Sequence, residues 1–386
     1  MSKNRFLEKL LDGVEVEWKP LRDVLVRTKG TKITASQMRA LHKEGGPVKI
    51  FAGGKTVAFF NYEDIPEKDI NTEPSVIVKS RGNIEFEYYE KPFSHKSEMW
   101  SYYSEKEEVS IKYAYYFLKL NEPYFQNLGS RMQMPQIATP DTDNFPIPIP
   151  CPDNSEKSLE VQREIVRILD SFTELTTELT TELTLRKKQY HYYRDQLLTF
   201  KEGDVEWKTL GEVAVIGTGS HDTKDAIDEG DYIFYARGRV PLRLNVYDFD
   251  ETAIITAGDG AGVGKVYHYA QGKYALHQRA YRIVPREFMN PRFVFHYISA
   301  FFYVYIQRAS VSSSVTSLRR PMFINFPIPV PSLEEQARIV TILDKFDTLS
   351  HSITEGLPRE IELRQKQYEY YRDLLLSFPK PEEATE

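Results

Sequence analysis

The sequence predicts an α+β protein built as a pseudo-twofold internal repeat, with two mixed domains joined by two long antiparallel helices. Three observations carry that expectation. The first is an ordered repeat. VEWKPLRDV (16–24) returns as VEWKTLGEV (205–213), and FPIPIP (145–150) returns as FPIPVP (326–331). LEVQREIVRILDSF (159–172) returns as LEEQARIVTILDKF (333–346), and RKKQYHYYRDQLLTF (186–200) as RQKQYEYYRDLLLSF (364–378). A period of about 180 residues is far too long for a solenoid and describes one large module written twice. The second observation is a continuous apolar stripe. Ile165, Ile168, Leu169, Phe172, Leu175, Leu179, Leu183, Tyr190, Tyr193 and Leu197 recur every three or four residues, the period of a helix face. The third is a set of short alternating runs, PSVIVKS, IEFEYYE, TAIITAG and KYALHQRAYRIV, separated by Gly- and Asn-rich turns.

Each half opens with a short strand-like VEWK and continues into a mixed region whose sequence differs between the halves. A proline-clamped segment, FPIPxP, then reads as a rigid extended strap, because proline fixes its own φ and biases the preceding residue to extended geometry. The first helix is expected from about Leu159 to Thr199, a rod of roughly 60 Å. A helix of that length with one apolar face needs a partner. The second copy, Leu333 to Ser377, is the expected one, packed antiparallel as a coiled-coil-like pair; the alternative is that each helix folds onto its own domain. Gly356 and Pro358 in TEGLPRE predict a kink or break in that second helix. FLEKLLDGVEVEW at the start resembles the end of the first helix running into the second VEW, which suggests a circular arrangement of the halves. The expected boundaries are a mixed domain over 1–150, a helical spacer over 151–203, a second mixed domain over 204–331 and a second spacer over 332–386.

Between its ends the first helix carries one word three times, TELTTELTTELT (173–184). A four-residue word adds about 6 Å of helix and turns it only some 40° beyond a full turn, so the leucine stays near one face. The words therefore read as a ruler; the alternative is a replication-slippage relic in a tolerant helix.

Composition bounds the function. The chain has 386 residues, is 41% hydrophobic and 13% aromatic, and is no disordered chain. Its single cysteine, Cys151, rules out an internal disulfide and fits a reducing compartment. With no signal-peptide core at the start and no membrane-length apolar run, a soluble cytoplasmic protein is expected. The net charge of −6 is unevenly spread: 19–150 and 211–331 together are +3, whereas 151–210 and 332–386 together are −8. The acid lies on the helical tracts and tail, and the small basic excess lies on the mixed regions.

The combination of FPIPxP, LEEQxRIVxILDxF, a long helix and RxKQYxYYRDxLLxF, occurring twice around divergent domains, resembles the specificity subunit of type I restriction–modification enzymes over the whole chain. The resemblance implies two target-recognition domains, each reading one half of a split, asymmetric duplex DNA site. It implies helices that form an antiparallel spacer and dock two modification (methyltransferase) subunits, which restriction (translocase and nuclease) subunits join. It implies no catalysis and no cofactor in this chain, the family's partner subunits using S-adenosylmethionine, ATP and Mg2+. The first strap-to-helix junction departs from the pattern, with Cys151 and NSEKS where the second has PSLEEQ. The residues support the same reading independently: two similar frames holding different inserts suit two different short sequences at a fixed spacing, and a duplex presents equivalent backbones to a pseudo-twofold protein.

Catalytic signatures fail one by one. Asn121-Glu122-Pro123-Tyr124 lacks the first proline of an adenine-methyltransferase loop, and FAGGK (51–55) is no cofactor loop. AGDGAGVGKV (257–266) has Asp259 and Val266 where a phosphate loop needs Gly and Ser or Thr, leaving a glycine-rich turn close to a backbone or a phosphate. Pro152-Asp153 has no nuclease partner nearby, and eight histidines with one cysteine give no metal spacing. Two rival readings are a methyltransferase–specificity fusion and a structural coiled-coil adaptor. DNA contacts are expected from loops carrying Arg, Lys, Asn, Gln and aromatic side chains. In the first domain these are Lys49, Lys55, Lys79, Arg81, Asn83, Arg131, Gln133 and Gln136; in the second, Arg237, Arg239, Lys265, His277, Gln278, Ser314, Thr316, Arg319 and Arg320. GSRMQMPQ (129–136) and SSSVTSLRR (312–320) stand at equivalent places before the straps. The tyrosine clusters Tyr190, Tyr192, Tyr193 and Tyr368, Tyr370, Tyr371 are expected in helix packing or partner docking.

Overall fold

The computed structural model describes residues 14–105, 108–130, 134–201, 203–309, 320–352 and 354–379. The chain divides into two compact units: residues up to Glu178 together with those from Glu362 onward, and Leu179–Ile361.

In the first unit β1 (Val16–Pro20) pairs antiparallel with β9 (Pro146–Pro150), Trp18 opposite Pro148. The opener and the strap are therefore the two strands of one ribbon. Alternate prolines fit a strand whose other edge is open, because every missing N–H then points away from the partner. Ile147 and Ile149, between the prolines, are buried, and the outward carbonyl of Pro148 accepts a hydrogen bond from Tyr113 Oη at 2.9 Å. The mixed region holds two sheets. One has the order β2 (Val26–Lys29), β8 (Trp100–Tyr103), β5 (Ser75–Lys79), β6 (Glu85–Tyr89); the other has the order β4 (Val57–Phe60), β3 (Val48–Phe51), β7 (Phe93–His95). Helix α1 (Ile111–Leu120) lies against this domain through Tyr113, Ala114 and Phe117.

The first spacer helix, α2 (Ser155–Leu198), is 44 residues long, roughly 66 Å. It begins four residues before the expected start at Leu159, because Asn154 Oδ1 accepts from Lys157 N at 3.0 Å and satisfies one of the helix's free donors. Within the first unit its early turns contribute Val161, Ile165 and Leu169 to the core that α1 enters. The same core receives Leu375, Leu376 and Phe378 from the end of the chain, and Phe172 stacks on Tyr371 at 5.3 Å.

The second unit repeats the frame. β10 (Glu206–Thr209) pairs with β17 (Pro327–Val330), Trp207 opposite Pro329. The insert differs: one six-stranded sheet runs β11 (Ala214–Thr218), β16 (Ala280–Pro285), β14 (Phe249–Ala257), β15 (Tyr267–Leu276), β12 (Tyr232–Tyr235), β13 (Leu242–Leu244). Helix α3 (Pro291–Ala309) covers it with Phe293, Ile298, Phe302 and Ile306. The later turns of α2 supply Leu198 to this core, beside Ile339 and Leu343 of α4 (Leu333–His351), and Tyr193 stacks on Phe346 at 5.4 Å.

The second spacer is two helices, α4 and α5 (Gly356–Leu375), so of the kink or break expected at TEGLPRE the structure has the break. The break precedes Pro358. Ser352 leaves the helix in extended geometry, and Gly356 takes φ 78°, where a Cβ would stand 2.4 Å from the Thr348 carbonyl oxygen. Pro358 falls in the first turn of α5, where proline costs no internal hydrogen bond. Residues 6–13, on which the suggested helix-like start rests, lie outside the described residues.

Candidate nucleic-acid interface

In the second unit the glycine-rich turn after β14 lies against the segment leaving β12. Thr223, Ala236–Val240, Leu242, Asp259–Gly262, Lys265 and Val266 line a groove of about 620 Å3. Glycine is needed here for local reasons. Gly260 and Gly264 have φ of 78° and 65°, and a Cβ on Gly262 would come within 2.6 Å of the Arg237 carbonyl oxygen. The turn thus approaches a neighbouring backbone, one of the two options the sequence leaves.

Asp259 organises the groove's charge. It accepts from Arg237 Nη1 at 2.9 Å and from Arg279 Nη1 at 3.1 Å. Burial works to raise its pKa, but the hydrogen bonds and charges of the two arginines outweigh that and hold it below the usual carboxylate range. One carboxylate between two guanidiniums leaves a net positive cluster with fixed donors. Lys265 Nζ lies 5.0 Å from the centre of the Tyr303 ring, and Arg239 is exposed on the groove wall. Gln278 is exposed, its Nε2 donating to Asp222 at 3.1 Å. His277 is buried: its Nδ1 accepts from Arg279 N at 2.9 Å and its ring stacks on Phe234. Burial, followed by the charge of Arg237, lowers its pKa, so the ring favours the neutral form. His277 therefore shapes the corner that presents Gln278 and Arg279. Sequence reasoning passed over Arg279, although its position directly after His277-Gln278 could have suggested it.

In the first unit a smaller lip forms where the turn after β5 meets residues 134–137. Gly82 N donates to Pro135 O at 2.8 Å, Ile137 N donates to Ser80 O at 2.9 Å, and Arg81 and Gln136 form a β-bridge. Arg81, Asn83 and Gln136 are brought together there, all exposed, with Arg81 Nε 3.0 Å from Met134 Sδ. Lys55 sits apart, exposed in the β3–β4 turn. Lys49 and Lys79 are held in an internal network: Lys79 Nζ lies 2.6 Å from Glu85 and 2.8 Å from Glu87, and Lys49 Nζ lies 3.2 Å from Glu87. Burial favours neutral Lys79, but hydrogen bonds to both glutamates prevail and raise its pKa. Arg131, Gln133, Ser314, Thr316 and Arg319 lie outside the described residues. Arg320 is exposed at the start of the short helix Arg320–Ile324. Among the described residues no group of three or more His, Cys, Asp or Glu could hold a metal ion, and no helix is long and apolar enough to cross a membrane.

Two copies of one frame, each displaying a different mixed domain with exposed basic and amide side chains, define a duplicated recognition scaffold. A family model for the type I restriction modification DNA specificity domain matches residues 13–186 and 202–363. The chain belongs to the type I restriction–modification specificity subunits, which supply recognition rather than catalysis. It is 38% identical to the EcoR124I/EcoR124II specificity subunit of Escherichia coli, over 99% of both chains. It is 34% identical to the EcoprrI specificity subunit of the same organism, over 92% of this chain and 93% of that one. The S subunit of a type I system from M. genitalium shares the fold with a TM-score of 0.68 at 17% identity, over 96% of this chain and 98% of that one.

Proposed function

We propose that the chain reads a bipartite, asymmetric duplex DNA site, one half-site per mixed domain, and holds two modification subunits in register on it, with restriction subunits joining that core. The observation that carries the reading is the groove in which Asp259 fixes Arg237 and Arg279 beside Arg239 and Lys265. Prepositioned guanidiniums can take a phosphate or the O6/N7 edge of guanine, and the exposed amide of Gln278 suits adenine. The lip of Arg81, Asn83 and Gln136 would serve the first half-site. Tyr192 and Tyr370, exposed on the helices beside Tyr193 and Tyr371, whose rings stack on Phe346 and Phe172, would meet the modification subunits. The chain itself would use no cofactor; S-adenosylmethionine, ATP and Mg2+ would serve the partner subunits, in the cytoplasm.

The test is Arg239→Ala and, separately, Lys265→Ala in the complex with modification subunits. Loss confined to one base pair of the second half-site, worth about 1–3 kcal/mol, identifies base reading. A uniform loss with a salt slope shallower by about one identifies a phosphate contact. If neither variant changes affinity or sequence preference, the groove is not the reading surface. Methylated product from the chain alone would favour the fusion enzyme, and binding indifferent to sequence in the full complex would favour the adaptor.

A further inference from the structure

The two spacer segments grip their domains through the same two points, a glutamine and an aspartate. Gln162 on α2 is fully enclosed; its Oε1 accepts from Ser110 N at 2.8 Å and its Nε2 donates to Glu108 O at 2.8 Å. Gln336 on α4, equally enclosed, accepts from Asn290 N at 2.7 Å and donates to Phe288 O at 3.2 Å. Eight residues on, Asp170 accepts from Lys112 Nζ at 2.7 Å and Tyr116 Oη at 2.6 Å. Asp344 accepts from Arg292 Nη2 at 2.6 Å and is joined to His296 Nε2 at 2.7 Å. Counted from Ser110 and from Asn290, the cation is the second residue and the phenol or imidazole the sixth in both domains.

The glutamines and aspartates belong to the repeated blocks, whereas their partners lie in inserts of unlike sequence. A common socket therefore accepts two different domains. Its points are separated by roughly 12 Å along the spacer helix. Each glutamine takes the N–H of the residue just before the domain's helix and so fixes where that helix begins. Each aspartate ties down the following turns and so fixes its direction. With one point alone the domain could pivot.

We propose that Gln162 with Asp170, and Gln336 with Asp344, are positioning residues that set the angle of each reading domain on its own spacer helix and thereby the tolerance of the complex for the length of the unread gap. This rests on the bipartite reading proposed above. Asp170→Ala and Asp344→Ala are each introduced in the full chain, assembled with modification subunits, and tested on duplexes whose gap is native or one base pair longer or shorter. The ratio of native-gap to altered-gap methylation is expected to fall at least about tenfold, with the half-site bases unchanged, since small misplacements are costly in a positioned reaction. Arg292→Lys combined with His296→Tyr, which copies the first socket's partners into the second, should keep the wild-type ratio.

Equal slowing on every duplex in Asp344→Ala would mean that the pair only stabilises, and overturns the proposal; so does a collapsed ratio in the Arg292→Lys, His296→Tyr variant. Should Asp344→Ala fail to fold, His296→Phe keeps the bulk of the ring without its hydrogen bond and is judged by the same ratio. A wild-type complex blind to half-site sequence would refute the bipartite reading instead. The socket is then judged in the free chain, where Gln336→Ala should raise amide exchange at Asn290 at least about tenfold, and an unchanged rate overturns it.

Discussion

Glu87 illustrates how a charge count in a sequence misleads at the scale of single residues. It joins Lys79 and Lys49, two lysines with the right composition for a phosphate contact, into a network inside the first domain. Burial pushes its pKa up, but hydrogen bonds and charges from the two lysines prevail and leave it below the usual glutamate value of 4.5. A depressed carboxylate stabilises the fold above its unfolded pKa, and that contribution disappears as pH falls through the folded value. Glu87→Gln should therefore cost about 1–2 kcal/mol in urea unfolding near neutral pH. The gap between variant and wild type should close as pH falls through the lowered folded pKa of Glu87. A gap that stays constant with pH would assign the cost to packing instead of charge. Spacing along a chain does not reveal that a lysine on one strand and a glutamate on its neighbour share a face, so Lys49 and Lys79 could not be separated from Arg81 or Arg239 beforehand.

Elements were more legible. The stripe locates α2 to within a few residues because its period is dictated by helix geometry alone, and the TELT words sit inside it without a break. Threonine is tolerated there because its hydroxyl finds a partner one turn back: Thr173 Oγ1 donates to Leu169 O at 3.0 Å, Thr176 to Phe172 O at 2.8 Å and Thr184 to Thr180 O at 3.0 Å. Deleting residues 177–180 should leave both half-site sequences unchanged and shorten the unread gap by about one base pair, because four residues span about 6 Å of helix. Methylation mapping of the deletion mutant decides. An active enzyme with an unaltered gap would remove the ruler interpretation, and an altered half-site would mean that the helix also shapes the reading domains. What the stripe could not locate is the end of α4, where Ser352 turns extended four residues before Gly356, at φ 78°, opens α5.

For the molecule as a whole, the repeat was readable because it is a matter of identity between segments, whereas the strand order inside each domain was not. The inserts share little sequence, and one became two small sheets while the other became a single six-stranded sheet. The repeat also explains the composition of the first unit, whose core is completed by Tyr371, Leu375, Leu376 and Phe378 from the far end of the chain. The first half carries the matching segment at residues 186–200. A chain ending near residue 203 keeps that segment and loses the one that fills its own core. It should therefore dimerise, each copy supplying the other's missing helix, and with modification subunits recognise an interrupted palindrome of the first half-site. Sedimentation and methylation mapping test this; a folded, monomeric, inactive half would show that the halves are not equivalent modules.

The ribbons β1–β9 and β10–β17 bring the two ends of each mixed domain side by side, Trp18 against Pro148 and Trp207 against Pro329. A domain whose entrance and exit touch can be lifted out of a gene and replaced without leaving a gap that the rest of the protein must bridge. The coding sequence for the repeated frame offers the homology at which such an exchange would begin and end. Inheritance can thus change the recognised sequence by replacing one domain between two crossovers, while the repeated frame stays as it was.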